Sequence, residues 1–126
     1  MAELEQVFAE LKPVFEAYDG PFVARTDTGS SYQLYTVGPV RVDGREYAEF
    51  AFAGLRLGAK HVTIDYMPVY LRPDLRDELG GQLRPLLKTK SCFHFRSAGE
   101  AVCEQVRDAL ELGLDLYRRN GWVDAR

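Results

Sequence analysis

The stretch "EYAEFAFAGLRLGAKHVTIDYMPVY", Glu46 to Tyr70, decides the fold class. Its apolar residues recur every second position and not every third or fourth. Ala48, Phe50 and Phe52 share one side, with Tyr47, Glu49 and Ala51 on the other. After "LGAKH", Val62, Ile64 and Tyr66 alternate with His61, Thr63 and Asp65. Successive side chains of a strand point to opposite faces, so this pattern marks strands with one buried and one polar side. Strands covered on a single side belong to antiparallel sheets. Pro68 cannot donate to a ladder, which predicts a sheet edge or a bulge at the end of the second run.

Upstream, "FVARTDT" and "SYQLYTV" are two further runs rich in β-branched and aromatic residues, with "TGS" between them. "VDGR", Val42 to Arg45, is a hairpin turn signal, because Asp-Gly tolerates positive φ. The chain begins with a helical stripe: Leu4, Val7, Phe8, Leu11, Val14, Phe15 and Tyr18. Pro13 predicts a kink or a break near Lys12. Gly20 and Pro21 end the helix.

Downstream, "RPDLRDELGGQLRPLL" keeps Leu75, Leu79 and Leu83 at helical spacing. Gly80, Gly81 and Pro85 divide it into pieces. "TKSCFHFRS", residues 89–97, reads as a short strand. Phe93 and Phe95 face the core, and Cys92, His94 and Arg96 face outward. Ser97 and Glu100 form a capping-box pattern for a last helix over residues 98–120. The prediction is an α+β fold in one domain, residues 1–126. An antiparallel sheet of about five strands carries N-terminal, central (broken) and C-terminal helices on one face.

Composition removes several function classes. A chain of 126 residues with 46% hydrophobic residues can build a core without staples. The net charge of −3 argues against non-specific nucleic-acid binding, which needs excess Lys and Arg. No apolar run approaches the length of a membrane span, and the acidic, amphipathic start is unlike a signal peptide. With only two cysteines, Cys92 and Cys103, the expectation is a reduced, cytoplasmic protein.

Three constellations carry candidate chemistry. The first is cationic: Lys88, Lys90, His94 and Arg96, with Cys92 among them and Tyr66 and Tyr70 on the neighbouring run. These residue types suit a small anionic ligand or an acidic protein partner. An edge strand charged against aggregation explains the same lysines. The second is the acidic arc of the first helix, where Glu3, Glu5 and Glu10 offer hard oxygen ligands to a cation such as iron. A solvated helix face explains these residues as well. The third is Cys92, whose cationic neighbours favour a thiolate, as in a redox sensor or thiol enzyme. No C-x-x-C, H-x-x-x-H or G-x-S-x-G pattern occurs, so no complete metal or catalytic set is present.

Met67-Pro68-Val69-Tyr70, Pro73-Asp74-Leu75 and Lys90-Ser91-Cys92-Phe93-His94-Phe95 resemble the YdhG-like bacterial domains, from about Tyr47 to Trp122. The resemblance implies a cytosolic α+β domain of unassigned function. Some relatives are described as frataxin-like iron-handling proteins, which implies iron as a cargo but matches no ligand residue by residue. The chain departs from the pattern at His94, where Asn is usual, and at the paired Gly80 and Gly81. The leading expectation is a non-catalytic binding domain that uses the outer sheet face, where a homodimer contact is a further option. Iron delivery by the first helix and thiol chemistry at Cys92 are the alternatives.

Overall fold

Side-chain alternation builds one sheet from five strands, and burial of a single face fixes where the helices lie. The computed structural model describes residues 2–97 and 99–123. In chain order the elements are α1 (Ala2–Glu16), β1 (Phe22–Asp27), β2 (Ser31–Thr36), β3 (Val40–Val42), β4 (Arg45–Tyr47), β5 (Ala51–Leu57), β6 (Val62–Tyr66) and α2 (Met67–Leu71). Two 3-10 turns follow, Pro73–Glu78 and Arg84–Leu86, and then β7 (Cys92–Phe95) and α3 (Glu100–Arg119). The sheet order is β1-β2-β5-β6-β7, with every neighbouring pair antiparallel. The α+β prediction therefore holds. β3 and β4 form a separate hairpin inserted between β2 and β5. Its turn places Asp43 at φ 51 and Gly44 at φ 79, the paired positive angles of a type I′ connection.

The inner face is the core. Tyr32, Leu34, Phe52, Leu55, Val62, Ile64, Phe93 and Phe95 are buried there against Phe8, Leu11 and Phe15 of α1 and Val106, Leu110, Leu114 and Tyr117 of α3. Each such side chain contributes about 1.5–3 kcal/mol when fully buried. Phe22 and Phe52 stack at 3.9 Å. Gly113 lets α3 approach closely, since a Cβ there would lie 2.7 Å from Pro68 Cγ and 2.9 Å from Phe52 Cε1. Leu75, Leu79 and Leu83 of the broken central segment join the same core. Gly121 closes α3 at φ 76, with Gly121 N–H donating to Arg118 O and Trp122 N–H to Tyr117 O, a Schellman ending.

Three local expectations are corrected, and of the kink or break expected at Pro13 the break does not occur. The run from Glu46 to Leu57 is not one strand: β4 pairs with β3, and β5 pairs with β2 and β6. Thr36 makes the break, because its hydroxyl accepts from Phe50 N–H at 2.9 Å while its own N–H donates to Phe50 O at 2.9 Å. Unbroken alternation hides this change of partner. Pro68 lies at neither a sheet edge nor a bulge; the strand ends at Tyr66, and Pro68 occupies the first turn of α2, where a missing N–H costs nothing.

α1 does not break near Lys12 but continues through Pro13 to Glu16. Pro13 and Ala9 both face solvent, so water reaches the freed carbonyl, and burial of Val14 and Phe15 holds the last turn. The capping box is absent, because Gly99 is the N-cap in extended conformation with no side-chain cap bond. Ser97 therefore lies outside the cap position. The expected helix start at Ala98 falls outside the described residues.

Candidate functional site

The sheet face opposite α1 and α3 is assembled by strand register. Asp65 of β6 stands opposite Gly54 of β5 and Cys92 of β7, and Thr63 stands opposite Arg56 and His94. One step diagonally along the pair, the Arg56 guanidinium reaches Asp65 with two parallel hydrogen bonds, Nε to Oδ2 at 2.8 Å and Nη2 to Oδ1 at 3.0 Å. On the other side the Cys92 thiol donates to Asp65 Oδ1 at 3.1 Å. Gly54 leaves space that the Gln33 side chain fills; a Cβ there would fall 1.8 Å from Gln33 Oε1. Thr63 is buried although it is on the outer face, at the level of Arg56 and His94. Beyond it the His61 and His94 rings stack at 3.8 Å with their planes 17° apart.

The electrostatics divide this face in two. At Asp65, desolvation pulls the carboxyl pKa upward. The hydrogen bonds from Arg56 and Cys92 and the charge of Arg56 outweigh that pull, so the net displacement is below the usual carboxylate value. Arg56 is in turn held more firmly protonated, first by its bond to Asp65 and against the opposing effect of desolvation. That half of the face is self-neutralised. The other half is not. His61 is pushed below an ordinary histidine by desolvation, and then by the positive potential of His94, Arg96, Arg56 and Lys60. Excess positive charge with exposed donors therefore gathers at the end where the β5–β6 turn meets the end of β7.

The structure separates the residues that the sequence grouped. Cys92, His94 and Arg96 belong to the outer-face region. Lys88 and Lys90 occupy the exposed turn before β7, at its opposite end. This turn is pinned by Lys88 N–H to Cys92 O at 2.9 Å and by Cys92 N–H to Thr89 Oγ1 at 3.1 Å. Tyr70 is exposed on α2 and shares a cleft with Lys90. Tyr66 is a correction: it is 1% exposed on the inner face, and its hydroxyl donates to Ala109 O, so it cannot meet a ligand on the outer face. Strand parity places it with Val62 and Ile64.

Sequence reasoning missed Arg56 and Lys60 as site residues, and it placed His61 and Asp65 on the polar side of the run after "LGAK" without assigning them a role. Alternation was the available signal; strand pairing supplied the partners.

No hydrogen bond joins Cys92 to His94 among the described residues. The thiol is engaged by a carboxylate, and two side chains two residues apart on one strand face project in parallel. Cys103 is also free, and from α3 it packs against the core. Glu3, Glu5 and Glu10 are exposed along α1. Among the described residues no group of three or more His, Cys, Asp or Glu is placed to hold a metal ion. No helix of the described chain is long and apolar enough to cross a membrane. No protein-family model, curated protein or solved structure matches the chain.

Proposed function

We propose that this domain is a non-catalytic binding module that recognises a small anion on its outer sheet face. The site lies at the end built from Arg56, Lys60, His61, His94 and Arg96. The observation that carries the reading is the stacked His61–His94 pair, on which His94, Arg96, Arg56 and Lys60 place a positive potential. Asp65 neutralises Arg56 on its inner side and fixes the guanidinium plane, which leaves the rest of the patch to an incoming oxyanion. Imidazole and guanidinium N–H groups are strong donors to phosphate or carboxylate oxygens. Cys92 serves as a hydrogen-bond donor within the network and not as a nucleophile.

Titration with inorganic pyrophosphate, followed by backbone and imidazole NMR shifts, tests the reading. Saturable shifts at His61 and His94 are expected, with affinity about tenfold weaker in Arg96→Ala, which corresponds to about 1.4 kcal/mol. Absence of saturation at low ionic strength overturns it. Shifts produced by an acidic peptide but not by pyrophosphate would reassign the patch to a protein partner.

A further inference from the structure

A second cleft, of about 550 Å³, opens between α2, the first 3-10 turn and the turn before β7. That size suits a small organic molecule. Its floor is made by Val69, which is 2% exposed, and by Leu87, which packs against the core. The floor is therefore rigid and apolar. Leu87 is tied to Phe93 of β7 by an isolated antiparallel bridge, and the Thr89 hydroxyl accepts from the N–H groups of Ser91 and Cys92. These bonds hold the turn that carries Lys90 at the rim. Tyr70, one of the large hydrophobic residues left exposed at 54%, forms a wall with Pro73.

The rim is cationic, and its charges are unspent. Arg76 and Lys90 both line the cleft. Neither side chain takes part in an ion pair or hydrogen bond among the described residues, whereas nearby Arg72 is paired with Asp74 and Glu78. An apolar floor, a tyrosine wall and two free cations describe the complement of one kind of molecule. The floor and ring take a flat hydrocarbon body, and the guanidinium and ammonium take its anionic head. We infer that this cleft binds a small organic acid with a flat apolar body, independently of the outer-face patch.

The test is a nitrogen-15 NMR titration of the whole chain with 2-naphthoate, and in parallel with neutral 2-naphthalenemethanol and with inorganic pyrophosphate. The expected result is saturable naphthoate shifts at Tyr70, Leu87 and Thr89. Affinity should be about tenfold above that for the alcohol, since one charged contact of this kind is worth about a factor of ten. Arg76→Gln with Lys90→Gln should bring naphthoate down to the level of the alcohol. Arg56→Ala and Arg96→Ala should leave it unchanged. Both substituted sites are exposed, so the fold is retained. Equal binding of the acid and the alcohol overturns the inference. So does a silent Arg76→Gln/Lys90→Gln variant, or naphthoate shifts confined to His61 and His94. A pyrophosphate failure beside a naphthoate success removes the outer-face reading and leaves the cleft standing.

Discussion

Asp65 accepts from both of its strand neighbours, the Arg56 guanidinium at 2.8 and 3.0 Å and the Cys92 thiol at 3.1 Å. One carboxylate thereby ties β5, β6 and β7 together across the solvent-facing side of the sheet. The pair is half-exposed, so its worth is that of a screened ion pair with good bidentate geometry, about 0.5–1.5 kcal/mol. Its pH dependence has a definite sign. The folded carboxyl titrates below the unfolded one. Its contribution is fully present above the ordinary carboxylate range and is lost as pH falls through the folded value. Asp65→Asn should lower stability by about 1 kcal/mol at pH 7. The difference from the parent should shrink on acidification, as read by urea unfolding at several pH values. A constant difference down the acid limb would contradict this.

The His61 ring titrates below an ordinary histidine through desolvation and through the positive charge of His94, Arg96, Arg56 and Lys60. An anion bound at that end would cancel part of the charge. Pyrophosphate should therefore move the His61 imidazole titration to higher pH in NMR. Arg96→Ala should move it in the same direction without ligand. A titration insensitive to both changes would mean that the patch potential is too weak to recruit an anion.

Gly113 lies where α3 crosses Pro68 and Phe52. Alanine is the better helix former by about 1 kcal/mol, but the new Cβ would lie 2.7 Å and 2.9 Å from ring atoms that are packed in the core. Overpacking of that kind costs about 1–3 kcal/mol. Gly113→Ala is expected to lower the denaturation midpoint. Gly54→Ala meets only the movable end of Gln33 and should cost much less. Equal effects in the two variants would refute the close-approach account.

Tyr66 donates its buried hydroxyl to Ala109 O, joining β6 to α3. Tyr66→Phe removes this bond, while the carbonyl keeps its place in the α3 ladder, and should reduce stability by about 1 kcal/mol. It should leave pyrophosphate and naphthoate binding unchanged, as calorimetry with both probes would check. Tyr70→Ala should do the reverse, weakening naphthoate with little effect on unfolding, because Tyr70 is exposed.

Period-two alternation and glycine-marked turns were enough to read the α+β class, the hairpins at Asp43-Gly44 and after Leu57, and the inward course of Phe93 and Phe95. These features follow from local geometry, since a strand's facing is set by residue parity and a type I′ turn by the residues that tolerate positive φ. Where local rules competed with packing, packing prevailed. Pro13 stayed inside α1 because Val14 and Phe15 are buried beyond it. Pro68 opened a helix instead of ending a strand. Thr36 split one alternating run between two sheets.

By itself, the sequence determined the class of fold, the facing of Val62 to Tyr66 and of Phe93 and Phe95, and the outward set Cys92, His94 and Arg96. Only the tertiary structure decided which residues meet there. Arg56 and Asp65 are nine positions apart on paired strands, and His61, just before β6, meets His94 of β7, so the pairing of β5, β6 and β7 brings each pair together. The same folding carried Lys90 away from His94 to the other end of β7, beside Tyr70 and Arg76. Facing is a property of one strand, but adjacency belongs to strand pairing, and pairing is fixed by the burial of the whole inner face at once.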